Sequence, residues 1–234
     1  MSAWQDRLSE DVSRGRPGVE DRPYLIALAG GVASGKSTVA KALAARLRKD
    51  GLTVEVVGTD GFLLPNAVLT ELGLMDRKGF PDSHDWERLA AFLAAVTSGA
   101  ERLTVPTYSH ETYDVAAERS FKRPDVLVLE GLIALQNPVQ PVDLALYLDA
   151  DEDDLVGWYI DRFMALERWA APRLAERLAE VGHDPEALAG DLWERINAPN
   201  LHDHIAPTRA RADWVLAKAS HHQIRLLAPV AVSP

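Results

Sequence analysis

The chain has 234 residues, a formal net charge of −10 and no cysteine. That length can bury a good core as one domain, the acidic balance argues against a nucleic-acid partner, and the missing thiols exclude disulfides, thiolate zinc sites and a cysteine nucleophile. The first residues lack the apolar core of a signal peptide and no window approaches the roughly 18 apolar residues of a membrane span, so a cytoplasmic protein without a membrane partner is expected.

Residues 1–23 are polar, with Arg14-Gly-Arg-Pro-Gly in the middle, and read as an N-terminal arm: a short helix or loose segment outside the core. Tyr24-Leu-Ile-Ala-Leu-Ala is an apolar run expected as a buried strand, and Val39, Leu43 and Leu47, four apart, mark one face of a helix. Between them lies Gly30-Gly31-Val32-Ala33-Ser34-Gly35-Lys36-Ser37, followed by Thr38. Glycines let backbone wrap an anion, and the first amides of the helix point N–H groups and the positive dipole end at it. Lys36 can reach β- and γ-phosphates, and the Ser37 hydroxyl is the expected Mg²⁺ ligand. A net-acidic chain must make such a site locally basic.

Leu52–Val57 is a second strand, stopped by Gly58-Thr-Asp60-Gly61. Ligands of open α/β sheets sit beyond the carboxyl ends of strands, which places Asp60 at the substrate. Residues 63–80 read as loop, broken by Pro65, Gly73 and Lys78-Gly-Phe-Pro81, and Asp82-Ser83 offers a cap for a helix with Leu89, Phe92, Leu93 and Val96 inward. Leu103–His110, interrupted by a proline, is expected at a sheet edge, carrying Tyr108 and His110. Asp125–Glu130 is a continuous apolar strand ending in a carboxylate, the second expected metal residue. After a strand at 142–148, the acids at 149–154 read as charges opposing a helix start. On the helix from about Asp151 to Ala170, Tyr159 and Arg162 are three apart and share a face. Two helical periods flank Gly182-His-Asp-Pro185, residues 197–207 are irregular, and 212–217 and 223–227 close the sheet. His202 and His204 lack a third zinc ligand in the pattern.

Taken together, Thr59-Asp-Gly-Phe-Leu-Leu-Pro-Asn66, Gly73-Leu-Met-Asp-Arg-Lys-Gly-Phe-Pro81, Tyr108-Ser-His-Glu-Thr-Tyr-Asp114, Leu129-Glu-Gly-Leu132 and Trp158-Tyr-Ile-Asp-Arg-Phe163 resemble the type I, prokaryotic pantothenate kinases. The resemblance runs from Gly30 to about Leu227. It implies an α/β, P-loop NTPase-type three-layer fold, a mainly parallel sheet with helices on both faces, in one kinase domain over 24–234; the helical lid expected at about 165–200 is read from the late helical periods, and that region matches the family poorly. It also implies ATP- and Mg²⁺-dependent phosphorylation of the primary hydroxyl of pantothenate, coenzyme A as a feedback inhibitor, and a homodimer. By the same resemblance Asp60 is the base, Arg162 the cation at the transferring phosphoryl group beside Lys36, and Tyr108, His110, Tyr159 and Asn200 line the pantothenate pocket. Where the family has Lys-Ser-Ala-Asn-His, in the region of the adenine contacts, this chain has Lys218-Ala-Ser-His221-His222.

The residues alone leave two other classes open. One is a uridine-type nucleoside or sugar kinase, which shares strand, loop and base. The other is a nonenzymatic nucleotide- or coenzyme-A-sensing protein. A GTPase is disfavoured by the lack of an Asn-Lys-x-Asp segment.

Overall fold

Every residue of β1, Tyr24–Gly30, is buried, because the strand lies in the middle of a sheet covered on both faces. The computed structural model describes residues 3–16, 21–136, 139, 141–167, 171 and 174–227. Its main sheet has six strands in the order β2-β5-β1-β6-β7-β8: β2 Val54–Gly58, β5 Val126–Glu130, β6 Leu144–Asp149, β7 Trp214–Lys218 and β8 Ile224–Leu226. All pairings are parallel except β7 with β8. Parallel strands buried on both sides read as unbroken apolar runs, which is why β1 and β5 were visible in the sequence.

Alternate residues of β1 feed different layers. Tyr24, Ile26 and Leu28 pack with Val39, Leu43 and Leu47 of α2 (Lys36–Lys49), while Leu25 meets the other face with Leu89, Phe92, Leu93 and Val96 of α4 (Trp86–Thr97). Ala27 and Ala29 lie with Leu155 of α5 (Glu152–Ala165). At the strand's start, Asp143 accepts both Arg22 guanidinium hydrogen bonds, at 2.6 and 2.7 Å, and the Leu25 amide at 2.7 Å.

The segment expected to stay off the core does not. Residues Ala3–Gly15 form α1, whose Trp4, Leu8 and Val12 are buried in the layer of α2. The three apolar residues recur every four positions within a polar stretch, a narrow stripe that composition alone conceals. Polar links reinforce the seam: Arg46 Nε to Asp6 at 2.7 Å, Ser9 to Asp50, and Trp214 Nε1 to Asp11 Oδ2 at 3.0 Å.

Three other expectations change. The extended piece at 103–110 is not an edge of the main sheet: β3, Arg102–Ser109, pairs antiparallel with β4, Asp114–Lys122, in a separate two-stranded sheet. Its register shifts between Val105 and Thr107, at the proline that cannot donate to a ladder. The cap of α4 is Asp85, accepting from the Arg88 amide, and not Asp82-Ser83, which lie in a separate 3₁₀ turn. Within the expected loop at 63–80, Asn66–Glu71 forms a short helix, α3.

The late helices are α6, Ala175–Glu180, and α7, Pro185–Leu192, on either side of the anticipated break. They enclose Phe163, Leu174, Leu188, Ala189 and Leu192. The expected end of α5 at Ala170, and residues 168–170 and 172–173 of the expected lid, lie outside the described residues. Residues 197–207 are helical, though not α throughout: π turns at Trp193–Asn197 and Leu201–Ile205 flank one α turn, Ala198–Asn200. Pro199 and Pro207 supply no amide, so the regular ladder cannot run through them.

Candidate active site

The sheet order places the chemical groups side by side. Glu130, the last residue of β5, is in register with Gly58 of β2 on one flank and Leu28 of β1 on the other. Neighbouring strands lie about 4.8 Å apart, so the phosphate loop after β1, the carboxylate ending β5 and the turn after β2 open onto one edge. That turn, Thr59–Phe62, is 3₁₀ and carries Asp60. The hairpin packs directly against it: a Cβ on Gly61 would lie 2.4 Å from the Pro106 carbonyl oxygen, so only glycine fits there.

The phosphate loop turns into α2 through Gly35, whose φ of 95° lies in the left-handed region. Lys36 Nζ donates to the Gly31 carbonyl at 2.8 Å, and Ser37 Oγ donates to Glu130 Oε1 at 2.6 Å. Burial pushes the Lys36 ammonium below the ordinary lysine range, opposed by the Glu130 and Asp60 carboxylates. Burial likewise pushes Glu130 above the ordinary carboxylate range, opposed by the Ser37 hydrogen bond and by Lys36. A partly desolvated ammonium attracts an anionic ligand more strongly than one in open water, with the two carboxylates acting against it.

A cleft of about 1070 Å³ joins this edge to the hairpin and the late helices. Of the anticipated residues, Val32, Ala33, Gly35, Lys36, Ser37, Thr38 and Glu130 line its phosphate side, and Asp60, Tyr108, His110, Tyr159, Arg162 and Asn200 line the rest. Gly30, Gly31 and Ser34 are buried instead, as structural members of the loop. Tyr159 and Arg162 do share the cleft-facing side of α5. Among the described residues, six cations, Lys36, Lys41, Lys78, Arg119, Arg162 and Arg177, line the cleft against three carboxylates, Asp60, Asp76 and Glu130. The site is locally basic within an acidic chain.

Asn200 is 3% exposed, set on its α turn between the two π segments. Its Nδ2 donates to the Gly79 carbonyl at 2.9 Å, while Oδ1 is buried without a hydrogen-bond partner among the described residues. An unsatisfied buried acceptor costs about 1–3 kcal/mol and is a natural seat for a ligand donor. Tyr108, His110 and Tyr113 form edge-on ring pairs with centroids 5.2 and 6.2 Å apart.

Of the cleft cations, sequence reasoning passed over Lys41, Lys78, Arg119 and Arg177. Lys78 lies 4.2 Å from the Tyr113 ring centre and donates to Asn66 Oδ1 at 2.6 Å. Its signal was its place within the Gly73–Pro81 motif. Arg177 of α6 pairs with Asp76 at 2.6 Å, and its Nη1 is buried without a partner among the described residues. No pattern marked it, because the pairing joins turns far apart in the chain. The acids after β6 find separate partners, Asp149 with Arg209 at 2.9 Å and Glu152 with His202 at 2.8 Å. No described helix is long and apolar enough to cross a membrane.

Residues 25–225 match the model of the phosphoribulokinase / uridine kinase family. A pantothenate kinase of Sorangium cellulosum is 45% identical over 96% of this chain and 78% of its own, and one of Myxococcus xanthus is 43% identical over 87% and 70%. Among solved structures, D-glycerate 3-kinase from Cryptococcus neoformans superposes with a TM-score of 0.71 at 12% identity, covering 97% of this chain and 100% of its own. Phosphoribulokinase from Rhodobacter sphaeroides does so with 0.61 at 15% identity, over 85% and 71%. These two show the fold alone.

Proposed function

Because the chain belongs to the phosphoribulokinase / uridine kinase family, and within it to the pantothenate kinases, we infer that its cleft transfers the γ-phosphoryl group of ATP to the primary hydroxyl of pantothenate. The chain is a kinase of coenzyme A synthesis. The observation that carries the residue-level reading is the convergence of phosphate loop, Asp60 and the Tyr108–Tyr159–Asn200 wall on one cleft.

In this reading the loop amides and Lys36 hold the β- and γ-phosphates, and Arg162 meets charge that spreads over the transferring group. Asp60 accepts the proton of the pantothenate hydroxyl as that oxygen bonds to the γ-phosphorus and the bond to the ADP oxygen breaks. Tyr108, His110, Tyr159 and Asn200 orient the acceptor, with Asn200 Oδ1 open to a ligand donor. Ser37 and Glu130 suit Mg²⁺: both offer hard oxygen, and their 2.6 Å contact is one a cation can replace. The ion supplies charge neutralisation between the phosphates when bound. The helices α6 and α7, within the range read as a lid, serve to cover the acceptor.

The family resemblance further supports a homodimer, a cytoplasmic setting and feedback inhibition by coenzyme A. Light scattering tests the dimer, fractionation the setting, and ATP-competition assays with coenzyme A the inhibition. The main reading is tested by a panel of pantothenate, uridine, ribulose 5-phosphate and glycerate, assayed for ADP release with Mg-ATP. Pantothenate should give the highest kcat/KM. A higher value for uridine or a sugar would reassign the acceptor and leave the fold standing.

A further inference from the structure

A phosphate loop has an outer side. For its amides to face an anion its carbonyls must turn away, and a carbonyl turned into the protein needs a donor there. Lys36 serves the Gly31 carbonyl. The Ser34 carbonyl is served from the far end of the chain: Lys218, the last residue of β7, donates from Nζ at 2.7 Å. Nζ lies 3.2 Å from where a Cβ on Gly35 would be, so it abuts the peptide that leads into α2. Ser34 itself is fully buried.

Lys218 is held in turn. Its ammonium sits 3.8 Å from the centre of the Trp158 ring, a cation–π distance, and that ring is 5.0 Å from the ring of His222. Burial pushes Lys218 below the ordinary lysine range, with Asp154 opposing. A partly desolvated ammonium needs such partners to stay charged. Lys218 is not among the described residues that line the cleft. Its hydrogen bond reaches the loop and not that cleft.

We propose that Lys218 is a positioning residue for the nucleotide: it fixes the Ser34–Gly35 peptide from behind, so that the loop amides are already turned toward the phosphates before ATP arrives, and Trp158 fixes Lys218. Such preorganisation removes an ordering cost that binding would otherwise carry. The compact ammonium suits the gap at Gly35 better than the broad guanidinium fork. The proposal deepens the reading above and rests on the loop being the triphosphate site, not on which alcohol is the acceptor.

The test compares wild type with Lys218→Met, which keeps the stem over Trp158 and removes the donor, and with Lys218→Gln, a neutral donor. Calorimetry with Mg²⁺ and a non-hydrolysable ATP analogue, and separately with pantothenate, is paired with steady-state kinetics and melting. The expected result for Lys218→Met is a tenfold or larger rise in the analogue Kd and in KM for ATP. KM for pantothenate stays within twofold, and Lys218→Gln recovers part of the loss. An analogue Kd within twofold of wild type in Lys218→Met overturns the proposal. So does a parallel weakening of both ligands with a lowered Tm, which marks a scaffold residue. If Lys218→Met does not fold, Lys218→Gln bears the same comparison alone, with a smaller rise expected and none overturning. The nucleotide arm needs no turnover, so a wild type that ignores pantothenate would refute the acceptor and leave this result readable.

Discussion

The two walls of the cleft are made in different ways. On the phosphate side β1, the loop and α2 are one continuous stretch, with Lys36 bonded to Gly31 inside it and Ser37 and Ser34 tied to Glu130 of β5 and Lys218 of β7. The acceptor wall is gathered from the hairpin, from α5 and from the π-turn segment, with Tyr108, Tyr159 and Asn200 brought together only by the fold. Both sides leave buried polar atoms unpaired among the described residues, Ser34 Oγ in the phosphate loop and Asn200 Oδ1 and Arg177 Nη1 across the cleft. A wall of consecutive residues is specified locally, whereas one gathered from distant elements can change piece by piece.

That contrast predicts how each wall fails. The largest effect falls where the walls meet: Asp60→Asn keeps size and polarity but cannot take the proton, so kcat should drop by about 10²–10⁴-fold, or roughly 3–5 kcal/mol of barrier, while ATP binds nearly as before. Near-native kcat in that variant would remove the base role. Melting temperature and Mg²⁺ requirement on the same preparation separate a turn or metal role from it.

Next comes the phosphate wall itself. Lys36→Ala removes a charge aimed at the transferring group and should cost about 10²–10³-fold in kcat, while calorimetry still shows pantothenate binding. Loss of pantothenate binding in equal measure would mean that the walls are not independent. On the acceptor wall the effect is smaller and of another kind. Tyr159→Phe deletes one hydroxyl and should raise KM for pantothenate by about tenfold or less, in keeping with a hydrogen bond worth about 0.5–1.5 kcal/mol, with kcat little changed. A fall in kcat at unchanged KM would move Tyr159 to the transition state.

The smallest effect is on stability. His84 lies 5% exposed in the segment behind Asp60, its Nδ1 donating to the Phe80 carbonyl at 2.8 Å, and burial pushes its pKa below the usual 6.5. Below pH 6.5 the unfolded chain takes up a proton that the folded one refuses, so stability should fall as pH drops, by at most about 1.4 kcal/mol per pH unit. Melting curves from about pH 7 to pH 5 should show this slope, and His84→Phe should flatten it. An unchanged slope in the variant would assign the effect elsewhere.

Legibility in the sequence followed the same division. β1, β5, the loop and α2 were readable because buried parallel strands and a helix face leave local periods, and because a phosphate loop needs its residues consecutive. Glu130 and Asp60 were readable as strand-end carboxylates. The hairpin partner β4 was missed, since its burial alternates weakly and most of its residues are partly exposed. The core role of α1 was missed because three apolar residues in a charged stretch carry little weight in composition. Lys218 was read only as part of a departing motif, for nothing local to residues 214–222 tells that its amine meets Ser34. Tyr108, His110, Tyr159 and Asn200 were reached through resemblance, not through spacing.

The bond between Asp11 of α1 and Trp214 of β7 spans 203 residues, and this has a consequence for how the molecule is completed. At about 5–20 residues per second on the ribosome, on the order of 10–40 s separate the making of its two ends. Through that interval the stripe of Trp4, Leu8 and Val12 can rest on α2 and lacks the last strands of its layer, Leu216 among them. α1 therefore completes its packing only when β7 has been made, as a seam drawn shut at the end of the sheet away from the phosphate loop, against the last turns of α2 and the first residue of β7.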